Sequence, residues 1–189
     1  MRAGCDRLGD MAMPELRIQL AKRADGGAVL RCVRADGTAT WQRHDGRQGA
    51  FFPLHDLTHY AVETVLGFRR GFFGLIADGW AIDETSGKGQ RGSLPPEAVL
   101  VEHLVGLLDV ERATGGEWTA LELATQLALA GVHDRTDGRS DAGGAVPPPL
   151  TDAGLHRVRD RRRELFAQWA GVAPAGILEL PFDRPAPAA

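Results

Sequence analysis

Cysteine is almost missing from this 189-residue chain: Cys5 and Cys32 are the only two. One falls in an N-terminal tail and the other in a strand pattern, which excludes a disulfide framework and leaves a cysteine-based zinc site unsupported. Lysine is equally scarce, with Lys22 and Lys88 alone, so arginine carries the positive charge. Long apolar runs are also missing. No stretch approaches the roughly 18 residues needed to span a bilayer as a helix, and residues 1–10 lack the apolar core of a secretory signal. Charge of one sign is not in excess either. A net charge of -3 offers no electrostatic case for nucleic acid or an anionic membrane as partner. The expectation is a cytoplasmic protein that works on a small molecule or with a protein partner.

What is present suffices for one domain. A hydrophobic content of 43% over 189 residues supports one real core and is too little for two comfortable domains. The expected organisation is a disordered tail over residues 1–13, a single domain over 14–183 with a flexible loop at 134–149, and a Pro-rich tail over 184–189. Met13 is an alternative start.

Periodicity supplies the elements. Leu16-Arg17-Ile18-Gln19-Leu20 alternates strictly and reads as a half-buried strand. Val29–Val33 and Thr38–Gln42 follow as strands, and Asp36-Gly37 between them is a hairpin signal. A first helix is expected from about Phe52 to Leu66, with Pro53 in its first turn and Leu54, Leu57, Ala61, Val65 and Phe68 on its packed face. Gly71–Trp80 reads as a short buried helical turn whose glycines allow close approach. Glu84–Pro96 reads as a loop. Helices are expected over Glu97–Ala113, Thr119–Ala130 and from Thr151 or Asp152 to Ala170, and Ile177–Leu180 as a last strand. The predicted fold class is α+β: a small N-terminal antiparallel meander packed with about four helices.

The chemistry concentrates in His55-Asp56-Leu57-Thr58-His59, with Glu63 four residues further on. Two histidines at i and i+4 project from one helix face about 6 Å apart along the axis, a spacing at which both imidazoles can share one ion. Asp56 is the candidate general base or orienter, and Glu63 the carboxylate that orients His59 from behind. Glu63 lies about 12 Å along the axis from His55, too far to share its ion. A third ligand must come from elsewhere. Glu102-His103 on the next long helix is the first candidate, Asp83-Glu84 the second. The ion implied is a divalent metal, in the first instance zinc. The bland alternative is a polar boundary: Asp is favoured in a helix first turn, and two histidines beside an apolar face hydrogen-bond their neighbours without metal.

The same residues carry resemblances. His-Asp-Leu-x-His-x-x-x-Glu followed by Gly-Phe-Phe-Gly-Leu-Ile-Ala-x-Gly, over about residues 50–84, resembles a recurring group of small bacterial proteins; the resemblance implies no activity. His-Asp-x-x-His differs by one methylene from the zincin motif His-Glu-x-x-His, whose histidines bind zinc and whose acid activates water. It is also similar to the zinc site of a ubiquinone-biosynthesis family, His-Asp-x-x-His, eleven residues, then Glu. Here that last position is Gly71, so the likeness stops at His55, Asp56 and His59.

The remaining signals are weaker. His156–Glu164 is rich in arginine, but Asp152, Asp160 and Glu164 lie on the same helix and the pattern reads as a solvated face. Gly87-Lys88-Gly89 lacks the phosphate-loop spacing. Cys32 reads as a small core residue, and Trp80 and Tyr60 either line a pocket beside the histidines or belong to the core. Two functions stay open: a metal-dependent hydrolase or lyase acting on a small molecule, and a non-catalytic interaction module in which His55–His59 is structural.

Overall fold

The structure, a computed structural model, describes residues 14–87, 92–132 and 149–184. The expected tail over 1–13, nearly all of the expected loop over 134–149, and residues 185–189 lie outside these. Arg184, read from sequence as the start of a tail, is held by Glu15 at 2.6 Å and by Asp78.

The chain begins with β1 (Leu16–Lys22), β2 (Ala28–Arg34) and β3 (Ala39–His44), the expected meander. Helix α1 (Arg47–Leu66) and the short α2 (Phe72–Ala77) follow, then a single 3-10 turn at Asp83–Ser86. Helices α3 (Pro96–Thr114), α4 (Ala120–Leu129) and α5 (Asp152–Gly171) precede a final strand, β4 (Ile177–Phe182). β4 returns to pair with β1, giving one antiparallel sheet in the order β3-β2-β1-β4. The α+β class is as read from the sequence.

Alternation explains the layers. Leu16, Ile18 and Leu20 of β1, Ala28, Leu30 and Cys32 of β2, and Leu180 and Phe182 of β4 are buried together against the helices. The partners Gln19, Arg31 and Trp41 are in register on the opposite face, where Trp41 is exposed. Burial pushes the Cys32 thiol far above its ordinary range. Cys32 is therefore expected to resist a thiol reagent in the native protein and to react once guanidinium unfolds it.

Helix α1 is the centre of the molecule. Every residue from Asp56 to Glu63 is buried, so His59 is enclosed, while His55 just before that run is half-buried. α3 runs antiparallel to α1: His55 meets Asp109, His59 meets Glu102, and Glu97 accepts hydrogen bonds from the Arg69 and Arg70 amides. α5 packs on another side, where Tyr60 also donates to the Pro181 carbonyl of β4 at 2.7 Å. α1 also begins five residues before Phe52. Its first turn rests on the β1–β2 turn so closely that a Cβ on Gly49 would lie 2.8 Å from the Gly27 Cα. Pro53 therefore sits inside the helix, where it has no N–H to donate to the Gly49 carbonyl.

The arginine-rich helix departs from its sequence reading. Arg157 and Arg163 are exposed, but Arg159 and Arg162 are buried between α5 and α3. Arg159 donates to both oxygens of Glu111, at 2.5 and 3.2 Å, and to the Trp118 carbonyl. Arg162 donates to the Leu108 carbonyl, and Glu111 also accepts the Trp118 amide. The solvated-face reading fails for these two because the helix has an ionic seam facing α3, which charge spacing along one helix cannot reveal.

Candidate metal centre

Two residues of α1 and one of α3 make the site. Imidazole nitrogens of His55 and His59 and a carboxylate oxygen of Glu102 lie within 4.8 Å of one another, a group that could hold a metal ion. His59 Nε2 is 3.1 Å from Glu102 Oε2, and His55 Nε2 is 3.8 Å from Glu102 Oε1. Tetrahedral zinc with bonds near 2.1 Å separates its donor atoms by about 3.4 Å, so small side-chain shifts would bring all three onto one ion. Glu102 reaches the histidines from an exposed position, while His59 is buried.

Each imidazole has a carboxylate behind it. His55 Nδ1 is 2.8 Å from Asp109 Oδ2. His59 Nδ1 faces Glu63 Oε1 at 3.6 Å, an ion-pair distance longer than a hydrogen bond. Both rings thus turn Nε2 toward Glu102 and Nδ1 toward an acid. That is the outer-shell arrangement that fixes a ligand histidine's tautomer and raises its basicity.

Glu63 is itself held. Its carboxylate accepts the Phe73 amide at 3.1 and 3.2 Å and the Gly74 amide at 3.1 Å, where the free N–H groups of α2's first turn seek an acceptor. This explains the glycines. A Cβ on Gly71 would lie 2.5 Å from Glu63 Cδ, and one on Gly74 would lie 2.1 Å from the Arg69 carbonyl oxygen. The position at which the likeness to the ubiquinone-biosynthesis zinc site calls for a glutamate is thus backed against Glu63. Gly71→Ala is expected to displace that carboxylate and cost roughly 1–3 kcal/mol by overpacking, read by denaturant melts.

Electrostatics couples the members. Burial alone would push His59 toward its neutral form, but Glu102 and Glu63 outweigh it and raise its pKa to about 9. The His59 contact in turn depresses Glu102 to about 2, against the opposing effect of burial. Burial pushes the Asp109 carboxyl up, yet His55 and Arg112 together hold it below its ordinary value. Without metal, His59 and Glu102 form an ion pair.

Other candidates sit elsewhere. Asp56, the expected general base, turns toward β3. It is buried with its Oδ2 3.6 Å from His44 Nε2, and His44 stacks on Phe52. One residue along a helix is a rotation of about 100°, enough to carry Asp56 off the His55–His59 face. His103 is exposed, its Nδ1 2.8 Å from the Val99 carbonyl oxygen, and is not part of the group. Glu84 accepts the Ala81 amide in the 3-10 segment. Trp80 packs with Leu75, Ala98 and Leu94. Sequence reasoning missed Asp109. The sequence shows it merely as an acid in α3, seven residues and thus about two turns after Glu102.

The chain matches no protein-family model, no curated protein and no solved structure. Among the described residues, no helix is long and apolar enough to cross a membrane.

Proposed function

We propose that this protein binds one divalent ion, zinc in the first instance, on His55 Nε2, His59 Nε2 and Glu102. The observation that carries the reading is the paired backing of the histidines: Asp109 behind His55 and Glu63 behind His59, with both Nε2 atoms turned to one carboxylate. A polar boundary has no need of that convergence. Two neutral nitrogens and a carboxylate suit zinc better than magnesium or calcium, which prefer oxygen.

Three protein ligands are the number found in catalytic zinc sites, which keep a position for water or substrate. The activity this supports is hydrolysis or a lyase reaction on a small molecule, the ion supplying a polarised water or carbonyl. His55 and His59 would hold the ion, Asp109 and Glu63 would fix the two rings, and Glu102 would close the site from the exposed side. Asp56 takes no part in this reading, because it faces His44.

The competing reading is a metal-free clamp in which the His59–Glu102 ion pair ties α1 to α3. Elemental analysis of the purified protein, before and after dialysis against zinc, separates the two. About one zinc per chain, absent from a His55→Ala/His59→Ala protein, is the expected result; no uptake by the wild type would sink the metal reading.

The pH dependence follows from the same contacts. His59 has a raised pKa, so its contribution to apoprotein stability is full below its ordinary value of 6.5 and is lost as pH rises through about 9. Glu102 has a depressed pKa, so its contribution is full above 4.5 and is lost as pH falls through about 2. In a chelator the pair therefore stabilises most between pH 4.5 and 6.5. Zinc needs His59 neutral, so protons compete with it. The zinc-induced rise in Tm is expected to grow steadily from pH 6 to pH 8, read by thermal melts with and without zinc.

A further inference from the structure

Beside the metal group stands a cation that metal binding does not use. Arg112, in the last turn of α3, donates through Nε to Asp109 Oδ1 at 3.2 Å. The other oxygen of the same carboxylate holds His55. The Arg112 guanidinium carbon also lies 5.6 Å from the centre of the Phe51 ring, and that ring lies 5.6 Å from the His55 ring. Asp109 and Phe51 are thus shared between Arg112 and His55, which places the guanidinium next to the ligand histidine. Its Nε edge is occupied and one face rests on an aromatic ring. Among the described residues, nothing pairs with its two Nη nitrogens. The side chain is 27% exposed, and Phe51 beside it is 41% exposed.

A guanidinium held this way is pre-organised. Its free edge presents N–H donors in a planar fork matched to a carboxylate or phosphate. The Asp109 contact uses only Nε, where a full pairing with a carboxylate would use two nitrogens. Neutralising Asp109 would require no exposed aromatic beside it. From these contacts, and resting on the metal reading above, we infer that Arg112 is the anion-recognition residue of the site, and that the substrate is a small molecule bearing an oxyanion, a carboxylate or a phosphate. The substrate's apolar or planar part would lie on Phe51 and its oxyanion on the Arg112 fork, with the reacting group at the ion. Other cations near α1 are engaged differently. Arg159 and Arg162 are buried on Glu111 and the Leu108 carbonyl, and Arg34 is spent on the Ile76 and Trp80 carbonyls.

The test is calorimetric titration of the zinc-loaded protein with inorganic phosphate and, separately, with acetate, for wild type, Arg112→Gln and Arg112→Lys, with zinc content measured on each sample. The expected result is saturable binding of at least one anion to the wild type, weakened about tenfold in Arg112→Gln with zinc still at one per chain. Arg112→Lys is expected to recover only part of the loss, because a point charge lacks the fork. The stronger ligand of the two tells phosphate from carboxylate. Unchanged affinity in Arg112→Gln with zinc in place, or no binding of either anion by the wild type, overturns the assignment. Failure of the metal reading shows separately, as a wild type that takes up no zinc, and removes the two-point site with it.

Discussion

Saturating zinc is expected to raise the Tm of the wild-type protein by roughly 8–16 °C, and the whole rise is expected to vanish in His55→Ala/His59→Ala. The size follows from mass action. A ligand that binds only the native state at about 1,000 times its Kd adds about 4 kcal/mol, and a chain of this length gains roughly 2–4 °C per kcal/mol. The ion would join α1 to α3, the two helices on which the ligands stand, so its effect should reach global unfolding and not only a local loop. Single replacements grade the effect. His59→Ala is expected to abolish the shift, because His59 makes the shorter Glu102 contact and is the more buried ring. Asp109→Asn is expected to retain binding at roughly 10–100-fold lower affinity, the usual cost of an outer-shell partner. Differential scanning calorimetry with zinc and with chelator measures all of these. A double variant that keeps the full zinc-induced shift would place the ion elsewhere.

The largest loss of stability is expected away from the site. Glu111→Ala should cost roughly 3–5 kcal/mol, the range for breaking a buried ion pair by removing one partner, or roughly 6–20 °C in Tm. Glu111 is the shared acceptor for Arg159, for the Trp118 amide and, more distantly at 4.0 Å, for Arg162. Removing it strands a buried guanidinium and a backbone donor together. The loss should be the same in zinc and in chelator, which distinguishes a structural ion pair from the candidate metal group about two and a half turns away on the same helix. Arg163→Ala is the control. That side chain is exposed and, among the described residues, pairs only with the exposed Asp160, and its replacement should change stability by less than about 0.5 kcal/mol. Urea unfolding of the three proteins decides it. A Glu111→Ala protein within 1 kcal/mol of wild type would mean that the seam relaxes to let water in.

The two expectations concern the same helix, and they mark where sequence reasoning succeeds. Glu102 was legible as a candidate ligand because it stands next to a histidine on a helix expected to follow the histidine motif. Glu63 was legible as the partner of His59 because i and i+4 side chains meet on any helix. Asp109 and Glu111 were not legible, since the sequence shows each merely as an acid in a long amphipathic helix. Whether such an acid faces a histidine, an arginine or water depends on which neighbour the helix meets and in which direction that neighbour runs. Asp56 shows the converse. The motif places it between the two candidate-ligand histidines, but a step of one residue swings it onto the sheet side, against His44.

The sequence by itself determined the local rules of this protein: strict alternation for β1, 3.6-residue periodicity for the long helices, glycine where the chain turns with positive φ, and one helix face bearing both histidines. These rest on interactions within a few residues, so they can be read without knowing the fold. Only the tertiary structure decided that β4 closes the sheet beside β1, and that α1 lies enclosed with α3 antiparallel to it. It also decided that Glu102 and Asp109 face His55 and His59 across that contact, and that Gly71 must lack a side chain because Glu63 stands 2.5 Å from where it would begin. The physical reason is that long-range pairings are set by the shared burial of apolar faces. That burial specifies which surfaces meet and leaves no trace in the spacing of residues along either helix.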